Sequence, residues 1–231
     1  MVSAFHKIIA DVRGALERKR GPAPVHDVAG EAARPLSAAA RRAELAAQFG
    51  REVELVGGRF FGLISLAAAR DRLLELAAAE KSEKIRSAAL GGGVACDVEM
   101  LVKPLARKGI ELIRTHRVTD GDRAALRERI AGCDLGIVEA DYAIAATGTF
   151  CVIATPERPS SLTILPPINF IFVAADRVRP NLAEVVAAVG PKNFATHRVA
   201  LITGPSRTAD IEKMIVIGVH GPKQLFAAVI A

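Results

Sequence analysis

The chain has 231 residues, 51% of them apolar and 24% charged, with a formal net charge of +6 that comes mostly from residues 1–115. This size and balance exclude whole-chain disorder and allow a buried core without disulfides or a structural metal. No apolar run approaches the roughly 18 residues of a membrane helix, and Met1–Ile9 has neither the apolar stretch nor the cleavage site of a secretory leader, so a cytoplasmic protein without membrane insertion is expected.

In chain order, Phe5, Ile8, Ile9, Val12 and Leu16 repeat at helical spacing and predict an N-terminal helix over 1–20 that Ser3 caps. Residues 21–36 are rich in Pro and Gly without periodicity and read as a linker. The domain proper is expected over 37–231. It begins with a helix over about Ser37–Phe49 that Gly50 stops, then a short strand at Val53–Val56 and a turn at Gly57-Gly58. Ser65 caps a further helix carrying Leu66, Leu73, Leu74 and Leu76. Gly91-Gly92-Gly93 reads as a loop; Val98, Leu101, Val102 and Leu105 suggest a helix within 97–108, which Pro104 would kink unless it starts a new one. A strand is expected at Glu111–Thr115 and a helix at Asp122–Ile130.

Beyond residue 133 the apolar segments become short. Those at 135–138, 142–145, 150–154, 170–175, 198–203 and 225–230 are bounded by turn residues, and several are apolar throughout. Strands of that kind are covered on both faces. With a helix at Leu182–Val189 between two of them, they predict an α/β fold with helices on both sides of a mainly parallel sheet.

Three cysteines, Cys96, Cys133 and Cys151, stand far apart. Their spacing matches neither a zinc site nor an iron–sulfur cluster, so no cofactor is expected on this chain itself, and the thiols read as small buried hydrophobes. Arg18-Lys19-Arg20 is read as a solvated helix end. With no Trp and one Tyr, the sequence has none of the aromatic–basic interleaving of RNA-binding modules, and nucleic acid is not an expected partner.

Chemistry concentrates in three turns. Thr147-Gly148-Thr149 offers two hydroxyls beside a glycine that lets a ligand approach the backbone, or it is simply a tight turn. Gly204-Pro205-Ser206-Arg207-Thr208-Ala209-Asp210 follows a strand and is read as leading into a helix. Hydroxyls, backbone N–H groups and a guanidinium would converge there on an anion. The alternative is a cap by Ser206 or Thr208, with Arg207 paired to Asp210 or Glu212. Gly218-Val219-His220-Gly221-Pro222 sets a histidine between glycines, and His220 is the one candidate for a catalytic proton carrier. Arg158 borders the same strand as the Thr147–Thr149 turn and could reach a ligand held there. An open α/β sheet would gather these segments into one crevice at the carboxyl ends of its strands. The candidate ligand-binding set is Thr147, Gly148, Thr149, Arg158, Gly204, Ser206, Arg207, Thr208, Asp210 and Gly221, with no metal ligand among them.

The segments ADYAIAATGT (140–149), GPSRTADIE (204–212) and GVHGP (218–222), in this order, resemble the LUD-domain family, whose best-known members are of the lactate utilization protein C type. The resemblance covers roughly residues 35–231. It implies a three-layer α/β/α fold similar to ribose-5-phosphate isomerase, glucosamine-6-phosphate deaminase and CoA transferases. It also implies a component of an L-lactate to pyruvate oxidation system, with iron–sulfur proteins as partners and a small carboxylate or phosphorylated ligand. An independent enzyme acting on a sugar phosphate, CoA ester or folate, or a scaffold for iron–sulfur subunits, are the other readings such a fold allows. The chain departs from many relatives in having Ala146 where they carry Glu, and Asn169 where they carry His.

Overall fold

The structure, a computed structural model, describes residues 37–78, 85–115, 123–209, 215–218 and 221–231. The chain divides into a unit of residues 1–35 and a unit of residues 36–231. The helix and linker expected over 1–36 lie outside the described residues.

Helix α1 runs over Ala38–Leu55, and the Ser37 hydroxyl caps it by accepting the Ala40 N–H. Gly50 does not stop it, and Val53–Val56 is its last turn and cap, not a strand. The Gly50 backbone packs directly on the Phe60 ring, which occupies the space a side chain at position 50 would need. Local propensity read this glycine as a stop, but tertiary packing uses it as a contact surface. Gly57 and Gly58 close the turn onto the Glu54 and Val53 carbonyls. Strand β1 follows at Arg59–Ile64, then helix α2 at Leu66–Ala78, where the Ser65 hydroxyl accepts the Ala68 N–H.

Strand β2 is Ser87–Leu90 and helix α3 is Val98–Arg107. Val98, Leu101, Val102 and Leu105 form the buried stripe of α3. Pro104 is accommodated inside it: the carbonyl that loses its N–H partner is that of Met100, on the exposed side of the helix. Strand β3 at Glu111–Arg114, helix α4 at Arg123–Ala131 and strand β4 at Leu135–Glu139 complete this half. The second half adds β5 (Tyr142–Ile144), β6 (Thr149–Ile153), β7 (Ile168–Ala174), β8 (Val178–Arg179), helix α5 (Leu182–Thr196), β9 (Val199–Thr203), β10 (Arg207–Ala209), β11 (Ile215–Ile217) and β12 (Gln224–Ile230). Helix α5 breaks at Gly190-Pro191, so the expected end at Val189 is the end of its first segment.

The main sheet is wholly parallel, in the order β1-β12-β7-β4-β2-β3. Alternate residues of its central strands enter different cores. Ile168, Phe170 and Phe172 pack with α2 and α3, whereas Ile171 and Val173 pack with α1, α4 and the inner face of a second sheet. Covering both faces is what makes these strands apolar throughout, and the result is the three-layer α/β/α arrangement. The second sheet has the order β8-β5-β6-β9, and α5 covers its outer face through Val185 and Val189 against Ile144 and Cys151. A separate two-stranded ribbon pairs β10 antiparallel with β11. The chain after Gly204 is therefore extended where a helix was expected. Among the described residues no helix is long and apolar enough to cross a membrane.

Two places in this topology matter for function. From β2 the chain passes through α3 to β3 on one side, then returns through α4 to β4 on the other side of β2. Loops leaving the carboxyl ends of β2 and β4 diverge, which opens a crevice at that point. Strand β6 spans the second sheet, so its beginning and its end lie four residues, or roughly 13 Å, apart.

Candidate functional site

The Thr147–Thr149 turn and the Thr203–Arg207 segment come together on the last turn of α1. The Thr149 hydroxyl lies 2.7 Å from both the Thr147 and the Thr203 hydroxyls, a continuous chain of three. Gly148 has φ +60°, and a Cβ there would stand 2.5 Å from the Val53 nitrogen. Gly204 has φ +71°, and its Cβ would meet the Val56 carbonyl oxygen at 2.8 Å. Both positions require glycine twice over, for the left-handed backbone and for the close approach to α1. Arg207 donates from Nη2 to the same Val56 carbonyl at 2.6 Å, placing positive charge at the negative end of the α1 dipole.

Ser206 joins this group to the segment before β12. Its N–H donates to the Pro222 carbonyl, and its carbonyl accepts the Gly218 N–H, both at 2.9 Å. A Cβ on Gly221 would lie 3.0 Å from the Ser206 Cβ. The structure thus brings Thr147, Gly148, Thr149, Gly204, Ser206, Arg207 and Gly221 into one neighbourhood. Thr208 pairs through its backbone with Val216 in the ribbon. Asp210 and His220 lie outside the described residues.

This neighbourhood sits at the amino end of the parallel sheet, not at the carboxyl end. Gly57 and Gly58 lead into β1, Gly221–Lys223 lead into β12, and the Lys223 N–H donates to the Pro167 carbonyl just before β7. The expectation of one carboxyl-end crevice is overturned by the second sheet, whose strands carry the Thr147–Thr149 turn back along the length of the main sheet. Ala146 is exposed beside the exposed Thr147. Asn169 is fully buried in β7, donating from Nδ2 to the Thr163 carbonyl at 2.8 Å, and its Oδ1 has no partner.

Arg158 stands apart, at the far end of β6. Its Nη2 donates to both Asp141 carboxylate oxygens, at 2.9 and 2.7 Å, and to the Ile153 carbonyl at 2.9 Å. Arg158 and Asp141 are 5% and 7% exposed, so the pair is a buried ionic clamp between β4 and β6. It is separated from the Thr147–Thr149 turn by the length of the strand that both border.

The crevice at the carboxyl ends of β2 and β4 is a cleft of about 510 Å³. The glycine loop 91–93, Cys96, Asp97, Glu99, Asp141, Glu157 and Arg158 are the parts of its lining that bear chemistry. Glu139, at the end of β4, is 1% exposed. Its carboxylate accepts the N–H groups of Val94, Ala95 and Cys96 at 2.7, 2.9 and 3.2 Å. Charge-assisted bonds of this kind are the strong ones. The loop after β2, the place where an α/β fold commonly receives an anion, therefore has these amides filled by the protein's own carboxylate. Glu99 holds Arg114 bidentately at 2.6 and 3.0 Å.

Sequence reasoning did not find this cleft. Ser87–Leu90 is too short to show a period, so the strand before Gly91-Gly92-Gly93 escaped notice. The available signal was Glu139-Ala140-Asp141, two carboxylates directly after the apolar run 135–138.

Burial, then the charge and hydrogen bond of Glu139, pushes the Cys96 thiol up to about 12. Burial raises Cys133 and Cys151 to about 11. These thiols are protonated at neutral pH and are poor nucleophiles. Among the described residues, no group of three or more His, Cys, Asp or Glu side chains is placed to hold a metal ion.

Comparison with known proteins places the chain. The profile of the LUD domain matches residues 46–230. Lactate utilization protein C of Halalkalibacterium halodurans is 32% identical over 108 residues, 45% of this chain and 46% of the relative. An uncharacterized protein of Neisseria meningitidis is 34% identical over 124 residues, 52% of this chain and 51% of the relative. The chain spans about half the length of the curated relatives it matches. The crystal structure of a DUF162 family protein from Deinococcus radiodurans superposes with a TM-score of 0.59 at 18% identity, covering 85% of this chain and all of the other, a likeness of fold. The LUD-domain match extends over most of the described fold, from the middle of α1 to the end of β12, and the chain belongs to the LUD domain family.

Proposed function

We propose that this chain is a component of an L-lactate utilization system that oxidises lactate to pyruvate. In this reading it works with partner proteins whose iron–sulfur clusters take up the electrons, and it binds a small anionic ligand. The observation that carries the reading is kinship: the chain is a LUD-domain protein, and several relatives at about 30% identity bear the name lactate utilization protein C.

The neighbourhood at the α1 end supports the choice of an anion. Arg207 is exposed and engages Val56 through one nitrogen, while a guanidinium offers five N–H donors in a fork suited to a carboxylate. The chain of hydroxyls at Thr147, Thr149 and Thr203 stands on the same turn of α1 and can donate to the same ligand.

The test has two arms. A strain lacking this gene should fail to grow on L-lactate as sole carbon source and recover with the wild-type gene. Normal growth of the deletion strain removes the reading. Calorimetric titration with pyruvate and with L-lactate should show binding that Arg207→Ala weakens by about 1.5–3 kcal/mol, the range for a bond to a charged group. An Arg207→Ala variant that melts lower but keeps its ligand affinity would reduce Arg207 to a cap of α1.

A further inference from the structure

Sheet edges are where one chain can pair with another, and folds blunt them with charges, bulges, proline or brevity. The two larger sheets end in four edge strands, β1, β3, β8 and β9. Strand β1 has an irregular register between Phe60 and Leu63, where Gly62 takes φ +105°. Strand β3 begins with Glu111 and ends with Arg114, and β8 is two residues long and runs into Pro180. Strand β9 has none of these devices. Its five residues, Val199-Ala200-Leu201-Ile202-Thr203, are uncharged and keep a continuous register with β6. Leu201 is 51% exposed, and Val199, Ala200 and Ile202 are each half-buried. Among the described residues no strand pairs with the outer side of β9.

The backbone shows what that side offers. The Ala154 N–H donates to the Arg198 carbonyl. Pairing alternates along an antiparallel ladder, so Arg198, Ala200 and Ile202 direct their N–H and C=O groups to β6. Val199, Leu201 and Thr203 direct theirs away from it. A second β9, running antiparallel about a two-fold axis at Leu201, answers this edge residue for residue. Leu201 exchanges both bonds with its own counterpart, and Val199 does so with Thr203, so every outward group is used. Side chains agree with this register: on one face Leu201 meets Leu201 and Val199 meets Thr203, and on the other Ala200 meets Ile202. Charge agrees as well. Arg198, exposed, stands just ahead of β9. At the other end, Gly204 packs on the last turn of α1, which carries Glu52, Glu54 and the negative end of the helix dipole. Arg207, the cation of that end, is bound to the Val56 carbonyl. Antiparallel pairing sets Arg198 opposite Gly204, so the basic start of each strand meets the carboxylates beside the end of the other. Parallel pairing would bring like ends together.

We infer that the free side of β9 is an interface for a second copy of this chain, joined by antiparallel β9–β9 pairing into one continuous sheet across a two-fold axis. Such an interface is isologous, each copy supplying the same residues. The pairing is separate from the lactate reading and stands or falls without it.

Sedimentation velocity on the full chain at micromolar concentration tests this by mass. The wild-type chain should sediment as a dimer. Leu201→Lys sets two ammonium groups opposite each other at the axis, and Leu201→Pro removes an outward N–H while leaving the bonds to β6 in place. Each should raise the dimer dissociation constant at least about tenfold, with a melting curve that shows the variant folded; Leu201→Lys alone serves if the proline variant does not fold. Leu201→Cys gives a test that does not depend on weakening. Residues in a hydrogen-bonded antiparallel pair have Cα atoms about 5.5 Å apart, within the reach of a disulfide. On mild oxidation this variant should cross-link through residue 201, while Met100→Cys, at a position 47% exposed on α3, should not cross-link. A wild-type chain that sediments as a monomer throughout overturns the proposal. So does a dimer that the Leu201 substitutions leave intact, one in which Leu201→Cys does not cross-link, or one in which Met100→Cys cross-links as readily.

Discussion

Glu139 is the side chain that ties the glycine loop to the sheet. Its carboxylate, 1% exposed, accepts from three consecutive amides. In Glu139→Gln the amide nitrogen replaces one acceptor, so a donor faces donors. The variant should lose about 1.5–3 kcal/mol, read as a lower denaturant midpoint with an unchanged slope; an unchanged midpoint would mean that the loop repairs itself with water. The thiols give a second test at this scale. Cys96, Cys133 and Cys151 have folded values of about 12, 11 and 11 against an ordinary 9.0. The fold thus keeps these protons where the unfolded chain releases them. Their contribution to stability is full below about pH 9 and falls as pH rises from there toward the folded values. The denaturant midpoint should be lower at about pH 10 than at about pH 8, and replacing Cys133 and Cys151 with Ala should shrink that difference. An identical pH slope in the double variant would show that other groups cause it.

Helix α1 organises the elements around the proposed anion site. Its last turn receives the Thr147–Thr149 turn through Gly148, the β9–β10 connection through Gly204, and the Arg207 side chain through the Val56 carbonyl. These contacts are backbone to backbone or nearly so, and they tolerate no side chain. Gly148→Ala imposes a left-handed conformation, which alone costs about 1–2 kcal/mol, and drives its Cβ to 2.5 Å from the Val53 nitrogen. The melting temperature should fall by at least about 2–4 °C per kcal/mol lost, and the affinity for pyruvate should fall with it as the turn leaves α1. A variant with wild-type melting would show that the turn does not rest on the helix as described.

For the whole molecule, the described cores draw on residues from Ala46 to Ile230. The unit of residues 36–231 therefore has its own interior. A chain beginning at Leu36 should remain soluble and unfold in one cooperative calorimetric transition; aggregation or a broad transition would show that residues 1–35 cover part of that interior. The second sheet separates the α1-end neighbourhood from the β2–β4 cleft. Its β6 has the Thr147–Thr149 turn at one end and the Arg158–Asp141 clamp at the other.

The sequence alone determined what depends on neighbours along the chain. Helical spacing and caps located α2 through Ser65, as well as α4 and the start of α5. Short apolar runs located β4, β5, β6, β7, β9 and β12, and the runs of β4, β7 and β12 showed that both faces of the main sheet are covered. The motifs at 140–149, 204–212 and 218–222 were enough to indicate the family. Tertiary structure decided what depends on distant partners. Gly50 became an interior helical residue because Phe60 packs on it, and the chain after Gly204 became a ribbon strand because it pairs with Ile215–Ile217. Arg158 went to Asp141, not to the Thr147–Thr149 turn, because a whole strand lies between them. The cleft was invisible for the same reason. Gly91, Asp97, Glu139 and Arg158 are scattered along the chain, and only the reversal of strand order between β2 and β4 opens space among them.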